Sequence, residues 1–150
     1  MDLRAEFPSV LRLAVDWAVA RSREVQIHGI PLSRGDVELA QSVGVARPEL
    51  VRVASVSKLP VPVDPTLRTA ALQTGLLGPG TAGLTLGYAI LLLRGHESRR
   101  LLSHELRHVQ QYESAGSIAA YLPLYLWQIV EYGYVDAPFE RDAREHEVPA

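Results

Sequence analysis

His104-Glu105-Leu106-Arg107-His108 puts two imidazoles and a carboxylate within five residues. On a helix, His104 and His108 stand one turn apart on one face and can share a single metal ion. Glu105 directly follows His104, where it can handle the proton of a water held beside that ion. The chemistry this suits is hydrolysis by activated water. The competing reading is a solvated helix face bearing two unrelated histidines.

A catalytic zinc keeps three protein ligands and one open position. The chain has no cysteine, so the ligands must be imidazole and carboxylate, and a disulfide framework is excluded. Downstream acids and imidazoles are Glu113, Glu131, Asp136, Glu140, Asp142, Glu145, His146 and Glu147. Glu113, five residues past His108, points off the ligand face. Glu131 lies among apolar residues with its direction open. Glu140 has the strongest case as third ligand. It follows the turn Asp136-Ala137-Pro138 at the start of a helix, and Ala143 is small enough for that helix to approach the motif helix closely.

The motif needs a helix, and Leu101-Leu102-Ser103 reads as its first turn. Leu106 and Val109 face inward; Arg107, Gln110 and Gln111 do not. Before it, Leu84–Arg94 is the best strand in the chain, with Gly87 marking a bulge or the close approach of another backbone. After it, Ile118–Tyr132 reads as a long helix with Pro123 near its first turn or kinking it. Gly133–Pro138 reads as a turn and Phe139–Glu147 as a short charged helix.

Towards the N-terminus, Phe7–Arg23 carries an apolar stripe at helical spacing, with Pro8 and Ser9 in its first turn. Trp17 is core or rim, and His28 is structural. A second helix runs from Ser33 to near Gly44, and Arg47–Val56 alternates like a strand. Leu59–Pro65 holds three prolines and is a rigid connector. Pro65–Leu76 is another short helix. Gly75–Gly83 lacks the Lys-Ser/Thr of a phosphate-binding loop and the spacing of a dinucleotide fingerprint, so it reads as a turn.

Length and composition bound the rest. A chain of 150 residues is one domain, here 1–150, able to bury a core. With 47% apolar and 21% charged residues, its composition is that of an ordinary globular protein. A net charge of −2 gives no argument for nucleic-acid binding. The charged N-terminus does not read as a signal peptide, and no apolar run is long enough to span a bilayer. The expected location is cytoplasmic. The expected fold class is α+β, with a small antiparallel or mixed sheet of two to four strands beside the motif helix.

His-Glu-Leu-Arg-His-Val-Gln-Gln-Tyr, followed by Tyr-Val-Asp-Ala-Pro-Phe-Glu-Arg-Asp-Ala-Arg, resembles the gluzincin class of zinc metallopeptidases, and more narrowly its small single-domain bacterial members, the minigluzincins. The likeness covers Leu84 to Glu147. It implies a zincin-like domain with zinc held by His104, His108 and Glu140, and with Glu105 as general base. It also implies a peptide or protein substrate lying along Leu84–Arg94 as a sheet edge. Two departures stand out. Arg144 occupies the position, four residues past the third ligand, where thermolysin-like members carry an Asp that orients the first histidine. His104 must then find that partner elsewhere, in Asp142 or a carbonyl. No histidine-rich extension follows His108, which excludes the metzincin pattern. The donor to a developing oxyanion is left among Tyr112, Tyr132, Tyr134 and His146.

The short chain leaves little for a far wall of the cleft. That cleft is expected to be open, completed by a partner protein, or blocked by the C-terminal tail. The alternative to a peptidase is a zinc-binding scaffold or interaction module that keeps the ligands without useful catalysis.

Overall fold

The computed structural model describes all residues, Met1–Ala150. Helix α1, Leu3–His28, begins a turn earlier than the apolar stripe suggests, because Asp2 caps it by accepting the backbone N–H groups of Arg4 and Ala5. Its buried residues Val10, Ala14, Ala18, Ser22 and Val25 recur every three or four positions, one face of the helix. Helix α2, Arg34–Ser42, is capped by Ser33, and helix α3, Pro65–Thr74, by Asp64 with proline in its first turn.

Four short strands form one mixed sheet in the order β1-β2-β4-β3: β1 Ile30–Pro31, β2 Arg52–Val56, β3 Gly83–Leu86 and β4 Ala89–Leu93. β2 and β4 run parallel; the outer pairs are antiparallel. The expected class, α+β with a small mixed sheet, is the observed one. Two strand readings change. Arg47–Val56 is a 3-10 turn over Pro48–Leu50 followed by β2. Leu84–Arg94 is not one strand but a hairpin, turning at Gly87 and Tyr88, with Gly87 at φ +70°. A tight two-residue turn takes a glycine at its first position for that left-handed φ. Of these two strands only β3 is a sheet edge; β4 is interior.

β4 is apolar on both faces because both are covered. Ala89 and Leu91 pack with Leu86 of β3 and with residues of α1 and of α5, the helix Ile118–Asp136. Ile90 and Leu92 pack with Leu39 and Ala40 of α2 and with Leu102, Leu106 and Val109 of α4, the helix Arg99–Ala115. Leu106 and Val109 are fully buried, each stabilising the fold by roughly 1.5–3 kcal/mol. α4 begins at Ser98, whose hydroxyl accepts the N–H of Leu101, one turn before the start read at Leu101. α5 runs to Asp136, broken only at Gly133 (φ +80°), where the sequence reads as a longer turn. The last helix, α6, is Pro138–Glu145. No helix is long and apolar enough to cross a membrane.

Candidate metal centre

α4 presents His104, Glu105 and His108 at the edge of its buried face, and α6 presents Glu140 across from them. Ala143 is fully buried between the two helices, and its methyl-sized side chain permits their approach. The Glu140 carboxylate lies between both imidazoles: His104 Nε2 is 3.2 Å from Oε1 and His108 Nε2 is 3.0 Å from Oε2. The three residues form the one group of ligand atoms in the chain able to hold a metal ion, all within 4.8 Å of one another. Glu131 is elsewhere, in an ion pair with Arg4. Glu113 does point off the ligand face. It accepts the N–H groups of Ala46 and Arg47 and the hydroxyl of Tyr88.

The far nitrogens of the two rings fix which atoms carry protons. His104 Nδ1 lies 2.8 Å from Glu147 Oε2, a carboxylate that can only accept, so Nδ1 carries hydrogen. His108 Nδ1 lies 2.9 Å from Gln111 Oε1. The Gln111 amide nitrogen faces two acceptors, Phe139 O at 3.0 Å and Asp142 Oδ2 at 2.8 Å. Its oxygen therefore faces donors, the Tyr121 hydroxyl at 2.7 Å and the His108 Nδ1–H. Both Nε2 atoms are left to direct lone pairs at the two oxygens of Glu140.

Two such lone-pair contacts, at 3.2 and 3.0 Å, need positive charge between the atoms, either protons or a cation. Without a metal the charge is protonic. Burial alone would depress the pKa of His104 and of His108, but hydrogen bonding to Glu140 together with the charges of Glu105 and Glu140 outweighs it and raises both. Burial pushes Glu140 up, and the two imidazoles, with a hydroxyl donated by Tyr125 at 2.7 Å, pull it well below the usual carboxylate range. A cation fits the same space. Two ligand atoms roughly 2.0–2.1 Å from a tetrahedral ion stand about 3.3 Å apart, close to the 3.0 and 3.2 Å found here.

Glu105 is buried on the adjoining side. Burial raises its pKa, and the Thr85 hydroxyl donates to its Oε1 at 2.9 Å. Gly83 of β3 passes so near that a Cβ there would lie 2.9–3.0 Å from the Glu105 carboxyl group. The strand and the acid are thus fitted to each other through the missing side chain.

Several sequence readings change at this site. Gln111, read as facing outward, is buried and holds His108. It lies three residues from His108 on one helix, so shared-face spacing was the available signal. The partner of His104 is neither Asp142 nor a carbonyl but Glu147. Asp142 instead receives Arg107 and Gln111. The tail that carries Glu147 is tied down by Val148 N–H donating to the buried Ser103 hydroxyl at 3.0 Å. Tyr125 and Thr85 had no spacing signal at all. Of the donor candidates, Tyr132 is largely exposed, Tyr112 donates to Thr85 O, and His146 bonds its own helix at Asp142 O. Tyr134 lines the same cavity as Glu105, His108 and Glu140, and burial followed by the Glu140 charge raises its pKa.

No protein-family model matches this chain, and no curated protein or solved structure matches it either.

Proposed function

We propose that this protein is a zinc-dependent peptidase of the gluzincin type, with His104, His108 and Glu140 holding the metal and Glu105 as general base. The observation that carries the reading is the convergence of two imidazole lone pairs on both oxygens of one buried carboxylate, with a second buried acid alongside. A zinc ion held there supplies Lewis acidity toward water and toward a carbonyl.

The chain supplies the proton handling. Glu105 accepts a proton from the water that attacks the peptide carbonyl and returns it to the departing amine nitrogen. Burial raises the Glu105 pKa in the metal-free protein, the direction that favours a carboxyl as proton acceptor and donor. Thr85 holds one carboxyl oxygen and leaves Oε2 for that exchange. Tyr134, kept neutral, donates to the carbonyl oxygen as negative charge develops on it. Glu147 and Gln111 hold the two rings with Nε2 inward.

Glu105→Gln tests the assignment against a zinc-binding scaffold. The variant should fold and bind one zinc ion per chain as the wild type does, and lose at least a hundredfold in peptide hydrolysis. Undiminished hydrolysis by Glu105→Gln, or no zinc bound by wild-type protein, would overturn the reading.

A further inference from the structure

From Ile118 to Val130, α5 carries no charge and a single amide, Gln128. A helix apolar around its whole circumference is normally covered around its whole circumference. This one is covered on one side. Tyr121, Leu122, Tyr125 and Ile129 are buried against the rest of the fold. Ala120, Leu124, Trp127 and Glu131 are exposed, Leu124 by 53% and Trp127 by 45%. Of the nine large apolar side chains left exposed in the chain, four lie on α5, so the exposure is concentrated on one helix rather than scattered.

Trp127 is held in place. Phe7 of α1 meets it edge-on with ring centroids 5.4 Å apart, and the Arg4 guanidinium lies 5.9 Å from its ring. Arg4 also pairs with Glu131 at 2.6 Å, so the one acid on the stripe is already neutralised. A preset tryptophan beside an arginine is the composition of an interface anchor. The spacing says what fits it. Positions 120, 124, 127 and 131 are separated by four, three and four residues, the seam spacing of a coiled coil. That pattern reads the same in both directions. It therefore matches a copy of itself run antiparallel, as a two-fold interface requires. With the axis level with Tyr125 and Leu126, Leu124 meets Trp127 of the second copy. Ala120 meets Glu131, and its methyl group leaves room for the Glu131–Arg4 pair. The N-terminus of α5 has no acid in its first turn. It is brought towards the end of the other α5 that carries Glu131 and Asp136, positive half-dipole against negative charge. An anionic lipid surface would be repelled by those same two acids.

We propose that the exposed face of α5 is the interface of a two-fold homodimer, in which α5 packs antiparallel on α5 of a second copy about Leu124 and Trp127. The pairing is independent of the chemistry at the metal centre.

Sedimentation of the full chain between about 1 and 200 μM should show a reversible monomer–dimer equilibrium. Leu124→Glu should weaken the dimer at least a hundredfold. Its far-UV circular dichroism and zinc affinity should match the wild type, because the side chain is exposed in the monomer. The register is tested by cross-linking, since the chain has no cysteine of its own. Under mild oxidation, Ala120→Cys mixed with Glu131→Cys should give the mixed disulfide at least tenfold over either homodisulfide. Like positions lie about 16 Å apart along an antiparallel pair with this axis. A chain that stays monomeric throughout overturns the proposal. So does a dimer that Leu124→Glu leaves intact, which pairs through another face. Homodisulfides in place of the mixed one mark a parallel pair and overturn it as well. A monomer that binds neutral lipid vesicles, and loses that binding in Leu124→Glu, overturns it in favour of a membrane surface.

Discussion

Glu113, near the end of α4, and Glu140, on α6 facing α4, are two carboxylates that each accept a tyrosine hydroxyl at 2.7 Å. Their other partners separate them. Glu113 takes the backbone N–H groups of Ala46 and Arg47, at 2.8 and 2.9 Å. Those donors carry hydrogen at every pH, so the carboxylate is satisfied by the fold alone and pins a loop to the helix. Glu140 faces two imidazole nitrogens whose hydrogens are committed to the far side of each ring. It is satisfied only when something positive arrives. A half-buried acid and a buried one thus serve different ends, according to whether their donors are fixed or exchangeable.

Exchanging the two acids gives the largest expected effects. Glu140→Ala should lower zinc affinity by far more than the 10–100-fold that follows loss of an outer partner, measured by competition with a chromophoric chelator. Glu113→Ala should leave zinc affinity unchanged and cost about 1–2 kcal/mol of stability, a fall in Tm of roughly 2–8 °C. Zinc at a thousand times Kd should then stabilise Glu113→Ala by about 4 kcal/mol, as it does the wild type, and leave Glu140→Ala unmoved. An equal response in both variants would erase the distinction.

That Glu140 was legible in the sequence and the full setting of Glu113 was not has a physical cause. A His-His-Glu cluster built on helices obeys local spacing: two histidines at i and i+4, an acid opening a later helix, an alanine one turn on. Glu113 could be read only as pointing away, since its donors lie 25 to 67 residues distant. The helices of the fold class were legible because α1 carries an apolar stripe at helical spacing and α5 is a long apolar run. The hairpin was not, because Leu84–Arg94 is apolar almost throughout and Gly87 alone marks the turn. Glu147 as partner of His104 depends on how the tail docks, and nothing in its spacing encodes that.

Glu147 sharpens the comparison from outside the cluster. It touches only the far nitrogen of His104, so Glu147→Gln should lower zinc affinity 10–100-fold, less than Glu140→Ala. Glu147→Gln can also turn its amide nitrogen to Nδ1 and favour the wrong tautomer, whereas Glu147→Ala only frees the ring. The glutamine should therefore be the worse of the two. Equal affinities for wild type, glutamine and alanine would show that tail docking does not orient His104.

A smaller effect is expected where an acid is placed by the absence of a side chain. Gly83→Ala puts a methyl group 2.9–3.0 Å from the Glu105 carboxyl, and the flexible glutamate should yield before the strand does. Zinc affinity should hold. The kcat for a good peptide should fall about tenfold, from displacement of the base by a fraction of an ångström. Unchanged kcat would mean that Glu105 acts from another rotamer.

The smallest effect returns to the structural acid. Burial, followed by the hydrogen bond to Glu113, raises the Tyr88 pKa to about 12. A tyrosine whose folded pKa lies above its unfolded value of about 10 stabilises the fold fully below pH 10. That contribution is lost as pH rises through 12, where the hydroxyl can no longer donate. Tyr88→Phe should cost about 1 kcal/mol at pH 7, the net worth of one such bond. Its stability deficit in urea should shrink between pH 10 and 12, while zinc affinity at pH 7 matches the wild type. A deficit constant across that window would mean that Tyr88 holds the loop by packing rather than by its hydroxyl. The contrast between the two carboxylates would then rest on the backbone donors of Ala46 and Arg47 alone.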